Sequence, residues 1–379
     1  MSKLSGLQID KPQRNQSIEL LRTLSMFSIV IIHFYTHGLF KEPNNYGINF
    51  TIFNTQSVVR LINYLFSEYI HAIVCVSVNC YVFITGYFLI EKKFKIKRII
   101  NTWFTTLFYS VIVSIFLFFT KISPINITDI VKSLFPITFN QYWFVTNYIG
   151  LIALSPFINI LCKQITKQQL QFLLVISFLM NMTIFIIFPW AKSFGNNSMS
   201  LSWFICLYLT SAYLRLYGVN GDYKFYLKRA IALSAIIFIY TMALEFVSYY
   251  YHSNTLYHWG YAYNSLEFFL SILVFIIFLK FRFTSNSVSN FLIKISPYTF
   301  GVYLIHDNCH VRNILWNRFD WNHLLNSEFF ILQMIVITLI IFGICIGIDY
   351  GRERFFRILR ISDLLDVISK RMEKYIPFV

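Results

Sequence analysis

Residues 18–38, IELLRTLSMFSIVIIHFYTHG, form a run apolar enough to cross a bilayer, yet Arg22 stands near its start and His33 deeper in. The eleven-residue spacing turns a helix about 20° past three full turns, so both side chains share one stripe. It also separates them by roughly 16 Å along the axis, about half of a hydrocarbon core near 30 Å thick. One face of one helix thus holds a permanent cation near one surface and a titratable imidazole near mid-membrane. A snorkelling Arg and a His satisfied inside a bundle fit the same spacing. Ionisable groups at that depth are nevertheless rare and usually functional.

Composition extends the membrane reading to the whole chain. Charged residues make up 13% and hydrophobic ones 57%, where soluble domains carry about 25% charge. Aromatics at 20% suit lipid-facing helices and interfacial belts. Net charge is +15, but the cations sit in short juxtamembrane clusters, which set topology and meet anionic lipid rather than nucleic acid. The six cysteines, Cys75, Cys80, Cys162, Cys206, Cys309 and Cys345, show no metal-ligand spacing and read as packing residues. The first apolar run lacks a small-residue cleavage site, so no signal peptide is expected.

Ten spans are expected, at 18–39, 69–90, 99–120, 142–161, 170–189, 200–218, 229–250, 262–279, 296–308 and 328–348. An amphipathic piece near 56–67 precedes the second, and the ninth is short and polar. With the N-terminus inside, 25 of the 32 Lys and Arg fall on inner segments, the bias that sets orientation. The expected fold is an all-α integral membrane protein with both termini cytoplasmic. It divides into a cytoplasmic segment 1–17, a transmembrane domain 18–349 and a basic amphipathic tail 350–379 lying along the inner surface.

All eight histidines, at 33, 37, 71, 252, 258, 306, 310 and 323, fall in outer halves of spans or in outer loops. Groups that titrate near neutrality gather there where a proton must be handled, although Lys-rich inner loops leave them little other room. A neutral His33 is suited to take a proton from an alcohol attacking a carbonyl. His37, one turn further out, is a second donor or a lining residue. Arg22 either binds the phosphates of a cytoplasmic donor or pairs with Glu19 one turn back. Among the other intramembrane carboxylates, Glu68, Glu245, Glu267 and Asp349, each needs a partner or water; Glu245 is the candidate partner for the histidines. No nucleotide loop, zinc motif or Ser-His-Asp signature is present.

ELLRTLSMFSIVIIHF resembles the opening helix of the membrane-bound acyltransferase-3 family, which carries an Arg-x10-His signature. Three further segments follow in the family's order. Thr85-Gly86-Tyr87 is loosely similar to its Ser-Gly-Tyr-like end of the second span. The Arg-x-x-Arg pair that should follow is missing, since Asn101 stands three residues after Arg98; Lys95, Lys97 and Arg98 supply the charge instead. QYWFVTNYIGLIALSPFIN resembles the Trp-Phe and Ser-Pro segment, with Trp143 and Tyr148 at the outer interface, where such rings also stack on sugars. SPYTFGVYLIHD is nearly a complete copy of the Thr-Phe-Gly-x-Tyr-Leu-x-His run, with Tyr303 and His306. There, His306-Asp307 lines an acceptor entrance, orients a catalytic group or is an ordinary interfacial pair.

The resemblance covers roughly 17–350 and is strongest to exopolysaccharide or wall-polymer O-acetyltransferases of Gram-positive bacteria. It implies an enzyme of the bacterial plasma membrane, with His33 as base or acyl carrier. Acyl-CoA, with acetyl-CoA foremost, is the co-substrate; the acceptor is a hydroxyl of a cell-surface or undecaprenyl-linked saccharide; no bound cofactor or metal is implied. A flippase for a lipid-linked sugar and a non-catalytic assembly partner are the rival readings; neither consumes acyl-CoA. Oligomeric state is not legible. A reporter fused to the C-terminus should be active on the cytoplasmic side; activity only outside the cell would overturn the span count.

Overall fold

The computed structural model describes residues 15–39, 57–187, 199–251, 265–282, 286–376 and 378. The described residues contain no strand, as fits a chain whose backbone groups must be satisfied without water. In chain order the helices are α1 (Gln16–His33), continued by a π-helical turn (Phe34–Leu39), α2 (Val58–Val74), α3 (Val76–Leu89), α4 (Ile96–Thr120), α5 (Ile127–Ser133) and α6 (Trp143–Gln164). There follow α7 (Lys167–Ile187), α8 (Leu201–Tyr217), α9 (Tyr223–Tyr250), α10 (Ser265–Lys280), α11 (Ser287–Ile295), a 3-10 turn (Ser296–Tyr298) and α12 (Thr299–His306). The chain ends with α13 (Cys309–Asn317), a second 3-10 turn (Trp321–Asn326), α14 (Phe330–Ile358) and α15 (Ile361–Glu373).

Six described stretches are long and apolar enough to cross a membrane: Gln16–Leu39, Val58–Leu89, Ile96–Thr120, Trp143–Gln164, Tyr223–Val247 and Phe330–Ile358. Helices also stand where the other four spans are expected, at α7, α8, α10 and α11–α12. The stretch containing α1 is 61% buried inside the protein, against 22% for those of α9 and α14, so α1 is central and the latter two form the rim. α1 touches α2, α3, α10, α11, α12 and α14.

Lipid is as apolar as leucine, so helices here are held by close backbone approach and polar links. Gly86 provides the first for α3 and α8: a Cβ there would stand 3.2 Å from Tyr208 Cα and overlap the Ser211 hydroxyl. The Trp203 indole N–H donates to Asn79 Oδ1 across the same seam at 3.1 Å. Gly301 does the same for α12 and α14, because a Cβ would overlap the Asp349 carboxyl group. Asp349 is buried and accepts from Tyr109 Oη on α4 at 2.7 Å. It is also held by Arg352 through two bonds of 2.8 and 3.0 Å, the fork geometry that suits a carboxylate out of water.

Several boundaries differ from those expected. The amphipathic piece and the second span are one rod, α2–α3, interrupted only at Cys75, whose backbone stays helical and whose N–H still bonds to the His71 carbonyl at 3.1 Å. The ninth span begins at Ser287, where Asn286 closes a capping box with Ser289. The rod α11–α12 is thus twenty residues long, broken by the turn at Pro297, about 30 Å at 1.5 Å per residue. α6 continues through Pro156 to Gln164. The tail is not one helix: α14 runs on to Ile358, Arg360 turns with φ 53°, and only then does amphipathic α15 start. Lys97 pairs with Asp366 on α15 at 2.5 Å and so docks it on α4. The N-terminal segment before Asn15, His252, His258 and the start of the eighth span lie outside the described residues.

Gly301→Ala should lower stability by about 1–3 kcal/mol, the usual result of overpacking, because the added methyl displaces Asp349 from Tyr109. Thermal unfolding in detergent checks this; an unchanged midpoint would show that the α12–α14 seam has room to spare.

Candidate active site

Arg22 lines a cavity of about 230 Å³ between α1, α3, α4, α6 and the start of α12. Its walls carry hydroxyls from Tyr81, Thr85, Thr102, Tyr148, Ser296 and Thr299, beside the rings of Phe144 and Phe300. Arg22 donates to Glu19 Oε2 at 2.7 Å, so the pairing with Glu19 is realised. Glu19 is buried and also accepts from the Ser296 hydroxyl. One of five guanidinium N–H groups is thereby used, leaving the others for a ligand. Tyr148 stacks on Phe144 with ring centroids 5.7 Å apart and accepts from Thr85 Oγ1 at 3.4 Å.

The other proposed donor contacts lie apart from this cavity. Lys97 is engaged with Asp366. Lys95 stands at the N-cap position of α4 without a side-chain capping bond, and Arg98 donates to the Lys93 carbonyl at 3.5 Å. Arg98 is one turn before Thr102, which does line the cavity. Trp143 packs on Phe204 with centroids 6.1 Å apart and does not line it.

Along α1 the positions between Arg22 and His33 on the shared stripe are Met26 and Ile29, both buried in the apolar core. The stripe therefore has two polar ends and an apolar middle. At the far end α1 loosens into a π-turn, a feature often found at functional sites. His33 and His37 flank its start, with ring centroids 5.3 Å apart. His33 Nδ1 lies 2.8 Å from His306 Nε2, and His306 Nδ1 lies 2.5 Å from the Val302 carbonyl oxygen. Thus His33, His37 and His306 form one cluster, brought together by α1 and α12.

Asp307 stands at its centre. Its Oδ1 is 3.7 Å from His33 Nδ1, 3.9 Å from His37 Nε2 and 3.7 Å from Arg312 Nη1. That oxygen is buried and has no hydrogen-bond partner among the described residues. Arg312, absent from the sequence-based candidates, also reaches His37 Nε2 at 3.5 Å. His33, His37 and Asp307 offer ligand atoms within 4.8 Å of one another. The guanidinium already stands among them, and a metal ion there would face it across a few ångströms. Asn308 braces the cluster by donating to Tyr142 Oη at 2.7 Å, and Tyr142 donates to the Leu304 carbonyl at 3.1 Å.

Tyr303 stands between the two ends of the site. Its ring centroid is 5.7 Å from that of Phe144, a cavity wall, and 6.5 Å from that of His306. His33 does not line the cavity; the rings of Phe144 and Tyr303 stand in sequence between the cavity and His306. Glu245, the sequence-based partner for the histidines, is used elsewhere: on α9 it accepts from Tyr64 Oη of α2 at 3.1 Å.

The sequence profile of one family, described as Acyltransferase domain, matches residues 15–350. No curated protein and no solved structure matches the chain.

Arg312→Ala leaves the buried Asp307 without its nearest full positive charge and should cost about 1–3 kcal/mol, less than for a fully buried pair because the guanidinium is part-exposed. Adding Asp307→Asn should recover most of that loss. Unfolding midpoints of both single variants and the double variant in detergent measure the coupling; a double-variant loss equal to the sum of the two single losses would show the groups to be independent.

Proposed function

The chain belongs to this family of membrane-bound acyltransferases, acyltransferase-3, and on that premise we propose that it moves an acyl group, acetyl foremost, from cytoplasmic acyl-CoA to a saccharide hydroxyl at the opposite membrane face. The acceptor is a cell-surface or undecaprenyl-linked glycan, and the membrane is the bacterial plasma membrane, crossed ten times with both termini inside.

The observation that carries this reading is the division of α1 into two polar ends: an Arg22 cavity and a His33 cluster, separated by Tyr303. A cavity of about 230 Å³ is below the range of a full small-molecule site, roughly 300–1,000 Å³. It suits the thin acyl–pantetheine end of the donor. The nucleotide then stays outside, near Lys95 and Arg98, while Arg22 and the wall hydroxyls hold the polar groups of the arm.

In the reaction His33 takes the proton of the acceptor hydroxyl. The hydroxyl oxygen attacks the thioester carbon, the carbon–sulfur bond breaks, and the proton passes from His33 to the departing thiolate. An ester and free CoA thiol result, with no proton left over. Asp307 Oδ1 and His37 are placed to orient the acceptor. For donor and acceptor to meet, the ring of Tyr303 must swing aside.

Substitution of His33 by Ala should reduce transfer by about 10²- to 10⁴-fold, the usual weight of general-base catalysis. Acetyl content of the surface polysaccharide, read by mass spectrometry with protein level held equal, is the measurement. Normal acetylation would remove the mechanism. Purified protein that moves a lipid-linked sugar without releasing CoA would favour a flippase.

A further inference from the structure

The histidine pair carries more information than proximity. His306 is fully buried in the last turn of α12, and both its ring nitrogens are engaged. Nδ1 faces the Val302 carbonyl oxygen at 2.5 Å. A carbonyl oxygen can only accept, so Nδ1 holds a proton. A neutral imidazole has one N–H, so Nε2 is then a lone pair. That lone pair faces His33 Nδ1 at 2.8 Å. Two lone pairs cannot share such a distance, so His33 Nδ1 is also protonated. With both rings neutral, the counting leaves His33 Nε2 as the free base.

We propose that His306 is a positioning residue that fixes His33 in the Nδ1–H tautomer, so that proton abstraction occurs at His33 Nε2. The Val302 carbonyl sets His306, and His306 sets His33, as a hydrogen bond to one ring nitrogen sets the role of the other. The tautomer stands on the geometry and on both rings being neutral; its catalytic consequence rests on the acyl-transfer reading above. During transfer the acceptor proton binds His33 Nε2 while its Nδ1–H stays bonded to His306. The thiolate then removes the Nε2 proton, and His306 finishes as it began. Asp307 Oδ1, 3.7 Å from His33 Nδ1, faces the transient positive ring.

The test is nitrogen NMR of histidine-labelled full-length protein in lipid nanodiscs, with His33 assigned by the resonances lost in His33→Gln. In the wild type His33 should show the Nδ1–H form. His306→Ala should shift it toward the Nε2–H form that free histidine prefers in water. His306→Gln should hold the Nδ1–H form, because a glutamine side-chain oxygen reaches the place of Nε2; His306→Asn is too short and should behave as Ala. An Nε2–H His33 in the wild type, or a tautomer indifferent to all three changes, overturns the proposal.

Kinetics give a second arm. His306→Ala should lower kcat by about 10²- to 10⁴-fold with KM for acetyl-CoA within twofold, and Gln should recover to within about tenfold of wild type. Equal losses for Ala and Gln would make His306 itself the base and overturn the assignment. If the wild type shows the Nδ1–H form yet releases no CoA with any acceptor, the acyl-transfer reading fails while the tautomer assignment stands.

Discussion

A guanidinium and an imidazole on one apolar helix cannot both face hydrocarbon, since each charged or hydrogen-bonding group left there costs several kcal/mol. That penalty decides where α1 goes. It stands in the middle of the bundle, touched by six other helices, so that Arg22 and the histidines meet protein rather than lipid. The helices around it answer with polar groups at the matching heights. Ser296, through Glu19 of α1 itself, serves the Arg22 end; His306 and Asp307 serve the His33 end. Both sets come partly from the same rod, α11–α12, which therefore runs alongside α1.

How much of this is legible in the chain follows from the kind of signal each feature leaves. The Arg-x10-His spacing is a period, and periods survive into the fold: Arg22 and His33 sit at two ends of one stripe. The pairing of His33 with His306 leaves no local signal, because the two residues stand 273 apart in the chain. The π-turn after His33 leaves no compositional mark. The start of α11 at Ser287 hides because Lys294 and several Ser and Asn make the stretch read as loop. Glu245 was matched to the histidines by height alone; Tyr64 on a neighbouring helix claims it instead. Arg312 had one faint signal: a cation on the side of the membrane that the positive-inside bias leaves poor in them.

The apolar middle of the stripe, Met26 and Ile29, explains why the site is built in two parts. A continuous polar track along α1 would leave a water path between the two membrane faces. Closing the track with apolar side chains and with Tyr303 keeps the Arg22 cavity and the histidine cluster apart. Water exclusion of that kind also strengthens the electrostatic contacts on each side. Phe144, in contact with both Tyr148 and Tyr303, joins the cavity wall to the dividing ring.

The choice of a neutral ring as the partner of His33 follows from the same medium. In a water-facing site a carboxylate commonly orients the base and balances the charge it gains. Inside a membrane protein a lone carboxylate in direct contact would itself need a full counter-charge. Here a backbone carbonyl and an imidazole do the orienting with no net charge. The carboxylate of Asp307 stands back at 3.7 Å and has Arg312 at the same distance. The resting cluster is then a nearly balanced ion pair beside neutral rings. On the reading proposed above, a proton taken up by His33 puts its positive charge beside an oxygen already held at its place, and no group has to be brought in from water.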